Sequence, residues 1–196
     1  MPLARQLSLF GVEAQPPSPL DLEGLLAGGG QVVRMGGTAR VSIVVDADWR
    51  ARALRAECAA RDLAATCEPA TVEGHLGVRT GYATTLAPLA TGWLRGAVKH
   101  PPGDFALDGH RLRLWAMAAG SPEGPQAYVF ALGVSDGPTV WGTVGAALAA
   151  AGLPAVLLGP RAGGPAYRVV GRRRLGRLAE LVGEAPPYAP VGQWPG

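Results

Sequence analysis

The sequence has few lysines, few cysteines and little charge, and each scarcity narrows the class of protein. Lys99 is the only lysine, so arginine supplies the rest of the 18 basic residues. This suits phosphate or carboxylate recognition, although GC-rich codon usage would give the same bias. Two cysteines without a metal-binding spacing exclude a disulfide framework and a structural zinc site. Charged residues are 17% of the chain, but hydrophobic residues are 48%, which excludes global disorder.

One long uncharged stretch needs an explanation. No charge occurs in the 24 residues between Asp136 and Arg161, enough to span a bilayer. The Gly-Leu-Pro sequence at 152–154 instead predicts a helix, a turn and a strand. The N-terminus lacks the apolar core of a secretion signal. We therefore expect no membrane partner and a cytoplasmic, nucleoid-associated protein.

An internal repeat organises the chain. Val-Arg-Thr at 78–80 and Tyr-Arg-Val at 167–169 are 89 residues apart, as are Val45 and Val134. The repeat predicts two halves at 20–85 and 86–183, between a flexible tail with a proline-rich linker (1–19) and a proline-rich C-terminal tail (184–196). The first half is predicted as helix 20–27, strands 31–34 and 40–45, helix 48–62, and strands 66–68 and 76–80. The second is predicted as helix 86–98, strands 112–117 and 128–134, helix 140–151, and strands 155–158 and 166–170, with a closing helix at 172–182.

Strand alternation gives each predicted sheet an apolar face and a face bearing arginines. Such a surface suits phosphate contacts, with an aromatic residue available for stacking. The candidate DNA-binding residues are Arg34, Arg40, Arg79, Arg111, Arg113, Trp115 and Arg168.

The first helix carries a recognisable motif. Leu-Glu-Gly-Leu-Leu-Ala-Gly-Gly-Gly at 22–30 resembles the nine-residue signature of the LAGLIDADG homing-endonuclease family. Leu-Arg-Gly-Ala-Val-Lys-His-Pro-Pro at 94–102 resembles the divergent form in the sporulation regulator WhiA, with an insertion of about 17 residues around 100–126. The resemblance implies an α/β (α+β) fold of two pseudo-symmetric αββαββ halves with saddle-shaped antiparallel sheets and a closing C-terminal helix.

The resemblance also makes predictions about the site. Gly24 and Gly96 would let the two signature helices pack closely. In active members the last acidic residue of each motif binds a divalent metal, and here those positions are Gly29 and Pro101. We therefore expect no metal, no cofactor and a monomeric, non-enzymatic protein. Asp104 and Asp108 could substitute for the missing carboxylates, but Asp108-Gly109 also suits a tight turn.

A second resemblance lies near the N-terminus. Gln6, Leu7, Ser8, Leu9 and Phe10 resemble the peptide with which bacterial replication and repair proteins bind the β sliding clamp. Leu9 and Phe10 would fill an apolar cleft while Gln6 bonds at its rim. The alternative is an amphipathic segment that packs back onto the domain.

Three functions remain open at this stage. The first is a replication or repair accessory protein that binds the β clamp and, through its domain, duplex DNA or a repair protein. The second is a WhiA-like DNA-binding transcriptional regulator, although the chain has no appended helix-turn-helix. The third is an active endonuclease, which Gly29 and Pro101 disfavour. The roles of Arg172–Arg174 and of the tail with Trp194 stay open.

Overall fold

A computed structural model describes residues 11–196 as a mixed α/β structure built from two similar halves. The first half contains a 3-10 turn (Pro19–Leu22), α1 (Glu23–Ala27), β1 (Gln31–Met35), β2 (Thr38–Val45), α2 (Asp48–Ala59), β3 (Ala65–Pro69), β4 (Leu76–Thr80) and α3 (Ala87–Trp93). A small hairpin follows, formed by β5 (Leu94–Arg95) and β6 (Val98–Lys99). The second half contains α4 (Gly109–Ala119), β7 (Gly120–Pro122), β8 (Ala127–Ala131), α5 (Gly137–Ala150), β9 (Val156–Leu158), β10 (Ala166–Val170) and α6 (Arg172–Val182).

Each half builds one four-stranded antiparallel sheet. The strand orders are β1-β2-β4-β3 and β7-β8-β10-β9, so the second sheet repeats the topology of the first. Alternate residues of β2 are buried against the helices, because Val41, Ile43 and Val45 point into the core. The predicted fold class is confirmed.

Helices α1 and α4 form the contact between the halves. A Cβ atom on Gly24 of α1 would lie 2.0 Å from the carbonyl oxygen of Arg111 in α4, so no larger residue fits there. A Cβ on Gly28, one turn later, would lie 2.8 Å from Nε1 of Trp115. The lack of side chains at these two glycines therefore lets α1 and its C-cap lie against the Arg111 backbone and the Trp115 ring.

The prediction of a strand at 112–117 is wrong, because this segment lies in α4. Asp108 begins the helix by accepting a hydrogen bond from the backbone N–H of Arg111 at 2.9 Å, so it is an N-cap and not part of a tight turn. Helix α4 is buried on nearly all sides, since eight of its eleven residues are buried. Burial all round removes the 3.6-residue hydrophobic period by which a helix is recognised.

The second signature helix was therefore assigned to the wrong segment. Gly96 has a φ of +65° in the β5–β6 hairpin, with no atom within 4 Å of a Cβ built on it. Pro101 lies in the loop between β6 and α4. The predicted opening helix of the second half, 86–98, is α3 and the hairpin after it, and α3 packs on β1 and β2 of the first sheet. No insertion around 100–126 is needed, because α4 itself precedes the second sheet as α1 precedes the first.

Both tails that the structure describes pack on the domain. His110 Nε2 lies 2.7 Å from the carbonyl oxygen of Gln15, which holds the proline-rich segment against α4. The indole N–H of Trp194 donates to the Gly183 carbonyl at 2.9 Å, and its ring lies 5.2 Å from the Arg113 guanidinium. The clamp-like residues 6–10 lie outside the described residues. Within 11–196 no helix combines the length and the apolar character that crossing a bilayer requires.

Candidate nucleic-acid interface

Each sheet has one face that points away from the core, which we call the open face. In the first sheet, the cross-strand register places Ser42 beside both Gln31 and Arg79, and Arg79 beside Thr66. The row Gln31–Ser42–Arg79–Thr66 therefore crosses all four strands. Side chains of these types donate and accept hydrogen bonds, and sheet readers use such groups on base edges and phosphates.

The second sheet has an equivalent row. Val129 lies beside Ser121 and Arg168, and Arg168 lies beside Val156. Arg168 thus occupies in β10 the position that Arg79 occupies in β4. Arg168 forms an ion pair with Glu123, and both side chains are nearly half-exposed. Such a surface pair is worth at most about 1 kcal/mol, so a phosphate can displace the carboxylate.

The charge on the open faces is modest. Within residues 11–196, the arginines that project from them are Arg40, Arg79 and Arg168. Arg40 lies over the ring of Tyr82, with 4.8 Å between the guanidinium carbon and the ring centroid. Exposed apolar side chains lie on the same faces, among them Met35, Val44 and Val156. A ligand of these faces would therefore meet apolar and polar contacts as well as three cations.

The other predicted DNA-binding residues lie elsewhere. Arg34 is on the helix side of β1, where its Nη2 donates to Oγ1 of Thr91 in α3 at 3.0 Å. Arg111 pairs with Glu23 at 2.7 Å and with Asp108. These arginines therefore have intramolecular partners away from the open faces, and the prediction that Arg34 and Arg111 lie on such a face is wrong.

The same correction applies to Arg113 and Trp115 in α4. Arg113 binds Glu57 at 2.8 Å and the carbonyl of Val182 at 2.8 Å. Trp115 is fully buried, and its indole N–H donates to Ala131 O at 2.9 Å. Both side chains stabilise the packing of α4, and the Trp115 ring has no exposed surface for stacking on a base.

A buried polar network joins α2 to α4. Arg61 pairs with Asp21 at 2.9 Å and with Glu57 at 2.7 Å, and its Nη2 lies 3.2 Å from Nδ1 of His110. Because a guanidinium only donates, His110 Nδ1 is the acceptor and Nε2 carries the proton given to the backbone. Burial raises the pKa of Glu57, but hydrogen bonds from Arg113 and Arg61 outweigh it, so the net pKa is lowered.

A second buried cluster lies at the end of α1, where the halves meet. The Lys99 ammonium is 2.6 Å from Asp136 Oδ2 and donates to the carbonyls of Gly28 at 3.1 Å and Gly30 at 3.0 Å. Burial lowers the pKa of Lys99 and raises that of Asp136, while their ion pair opposes both shifts. Sequence reasoning missed this pair, although the only lysine of an arginine-rich chain was a visible signal.

The residues present do not fit the divalent metal that the signature motif implies. Gly29 has no side-chain ligand, and its equivalent in the second half is Ala119, two residues before the Ser121 that matches Gln31. Within the described range 11–196, no group of three or more His, Cys, Asp and Glu residues is placed to hold a metal ion. The oxygen atoms at the end of α1 already surround the Lys99 ammonium.

Solved structures with the same architecture are homing endonucleases. The homing endonuclease I-WcaI bound to its DNA recognition sequence matches 93% of this chain and 90% of its own, with a TM-score of 0.60 at 11% identity. I-DmoI in complex with DNA and Mn, and mesophilic variants of I-DmoI, each match 85% of this chain with TM-scores of 0.45, at 12% and 10% identity and over 96% and 95% of their own chains. No protein-family model and no curated protein matches the sequence. The fold is therefore that of the LAGLIDADG homing endonucleases.

This comparison overturns the prediction that the protein is not an enzyme. The I-WcaI structure, which shares the fold over most of both chains, is of a homing endonuclease, and homing endonucleases are enzymes. The prediction also depended on Pro101 as the counterpart of Gly29, and Pro101 does not lie in the second signature helix.

Proposed function

We propose that the protein binds duplex DNA through the open faces of its two sheets. The observation that carries the proposal is the equivalent placement of Arg79 and Arg168. Arg79 lies in β4 and Arg168 in β10, each of which is third in the spatial order of its sheet, and each arginine belongs to a row that crosses that sheet. Two equivalent arginines suit two equivalent half-sites on a duplex. The I-WcaI structure, which shares the fold over most of both chains, is bound to its DNA recognition sequence.

The polar residues of the rows supply the sequence-reading part of the proposal. Gln31 and Ser121 occupy equivalent positions in the first strand of each sheet. Glutamine pairs with adenine in the major groove, and serine bonds to any base edge. The two halves are therefore expected to read different half-sites.

The test is selection from a random duplex library, followed by fluorescence anisotropy on the enriched sequence. Binding should be weakened by Arg79→Gln and Arg168→Gln, and not by Arg52→Gln, whose exposed side chain pairs with Asp48 on α2. The same samples with Mg²⁺, run on a denaturing gel, score strand cleavage directly. Absence of binding at about 10 μM protein in 50 mM salt would refute the proposal.

We further propose that the N-terminal peptide directs the protein to the β sliding clamp, and thereby to replication or repair sites at the nucleoid. The support is the Gln-Leu-Ser-Leu-Phe sequence at 6–10, together with an attachment point fixed on the domain. Gly11 is buried, and a Cβ on Gly109 would lie 2.3 Å from the backbone nitrogen of Val12, so the residues that follow the peptide in the chain are fixed beside α4.

A synthetic 1–14 peptide tests the recruitment proposal without the domain. It should bind purified clamp, and Leu9→Ala with Phe10→Ala should remove about 3 kcal/mol or more of binding free energy. No binding of the peptide at about 100 μM, with binding of the full chain, would show that recruitment uses another surface.

A further inference from the structure

The Lys99 ammonium lies in a cage of three oxygen atoms from separate parts of the chain. Gly28 and Gly30 contribute carbonyls from the end of α1, and Asp136 contributes a carboxylate from the segment between β8 and α5. The Lys99 and Asp136 side chains are 6% and 3% exposed. The ammonium donates hydrogen bonds to the two carbonyls and forms an ion pair with the carboxylate, and all three oxygens lie within 3.1 Å of its nitrogen.

This donor set is the type that a hard divalent cation prefers. Carboxylate and carbonyl oxygens suit Ca²⁺, Mg²⁺ and Mn²⁺, whereas thiolate and imidazole select other metals. The neighbouring Gln31 side chain, like the Lys99 ammonium, lowers the pKa of Asp136 against the effect of burial and so favours the charged carboxylate that a cation needs. The cage therefore has cation-binding chemistry that does not depend on a lysine.

We propose that these three oxygens form a cation site that Lys99 fills with its own ammonium, and that the site binds a divalent cation once the ammonium is removed. Truncation of Lys99 to alanine vacates the space of three methylene groups and the ammonium beside the oxygens. Water molecules can enter that space and complete the coordination of an ion held by three protein oxygens. A metal–oxygen distance of about 2.1–2.6 Å requires the cage to contract by about 0.5 Å from its ammonium-bound size.

The proposal assigns Lys99 a role in joining the two halves. The ammonium connects the end of α1 in the first half to the segment before α5 in the second. Because the ammonium is part of the protein chain, this connection does not require a bound metal ion. The stability of the wild-type protein should then be insensitive to chelators, whereas that of the truncated variant should depend on divalent ions.

The experiment compares the wild type, Lys99→Ala, and the double variant Lys99→Ala/Asp136→Asn, using Mn²⁺ as the probe. Free Mn²⁺ is measured by electron paramagnetic resonance, and thermal unfolding is followed with Mn²⁺ and with EDTA. Lys99→Ala should bind one Mn²⁺ at least tenfold more tightly than the wild type, and Mn²⁺ should raise its Tm. The double variant, which lacks the carboxylate, should lose both effects.

Lys99→Ser keeps the test decisive if the alanine variant unfolds in EDTA, because its hydroxyl can hydrogen-bond to water in the vacated space. Recovery of either variant's circular dichroism spectrum on addition of Mn²⁺ supports the proposal. Three results overturn it. The first is equal Mn²⁺ affinity in the wild type and the single variants, and the second is equal Mn²⁺ affinity in the double variant and Lys99→Ala. The third is that the single variants stay unfolded when Mn²⁺ is added. None of these measurements involves DNA, so their outcome is separate from that of the proposed function.

Discussion

The salt dependence of DNA binding is the sharpest test of the open faces. Among residues 11–196, three arginines project from these faces, so at most three phosphates are neutralised there. The affinity of a protein for duplex DNA falls with salt with a log–log slope of about −0.9 per phosphate contact. Three contacts give a slope of about −2.7, which is a loss of about 40-fold between 50 and 200 mM salt.

Replacement of Arg79 and Arg168 by glutamine should leave one contact, from Arg40. The slope should then fall to about −0.9, and the same change in salt should cost only about 3.5-fold in affinity. Fluorescence anisotropy with a labelled duplex of the selected sequence, at five or more salt concentrations, measures both slopes. Glutamine retains hydrogen bonding and similar length, so the substitution removes mainly charge.

Arg52→Gln is the matched control, because it removes an exposed charge from α2, on the side of the sheet opposite the open face. Its slope should equal that of the wild type. A double variant that keeps a slope near −2.7, or a control that loses as much as the double variant, would show that DNA does not lie on the open faces.

Further predictions concern stability, measured as the free energy of unfolding in urea. Gly24→Ala should destabilise the fold by about 3 kcal/mol or more, because the new methyl group would overlap the Arg111 backbone. Gly142→Ala in α5 should instead stabilise it by about 0.5–1 kcal/mol, because no atom lies within 4 Å of a Cβ at that position. The folded-state pKa of Glu57 is lowered from 4.5, so the charged carboxylate contributes fully to the unfolding free energy above that pH, and this contribution is lost as the pH falls. Glu57→Gln should therefore flatten the decline in unfolding free energy below about pH 4.5. Arg50→Met should cost about 3 kcal/mol in the same assay, because Arg50 donates to the carbonyls of Ala116, Met117 and Gly120 at the end of α4, and Arg50→Lys should recover only part of it.

The first sheet could be predicted almost completely from the sequence. Residues 40–45 alternate between buried and exposed positions, and the structure has this alternation in β2. The equivalence of Arg79 and Arg168 also followed from the 89-residue offset, because the two arginines occupy the same position in corresponding strands of the two sheets. Where one face of a strand is buried and the other is not, the sequence carries a period of two.

Helix α4 could not be predicted by the same reasoning. Its arginines at 111 and 113 alternate with leucines and so imitate a strand, but each binds a carboxylate from a distant segment, Glu23 or Glu57. Periodicity cannot reveal that an arginine is paired inside the protein, because the partner is 56 or 88 residues away. The 89-residue offset does place the counterpart of the predicted helix 20–27 at 109–116, within α4, but the signature-like sequence at 94–102 favoured another segment.

The asymmetry of the helix pair has a consequence for the whole interface. Gly24 and Gly28 allow α1 to approach α4 closely, while Lys99 fixes the end of α1 to the second half. The relative position of the two sheets thus depends on backbone contacts and a buried ion pair, neither of which adapts to a ligand without cost. Arg111 and Arg113, which stabilise this frame through Glu23 and Glu57, place no charge on the open faces. The proposed DNA affinity would then come from few cations in a rigid arrangement, which favours recognition by shape and base edges over attraction to the phosphates alone.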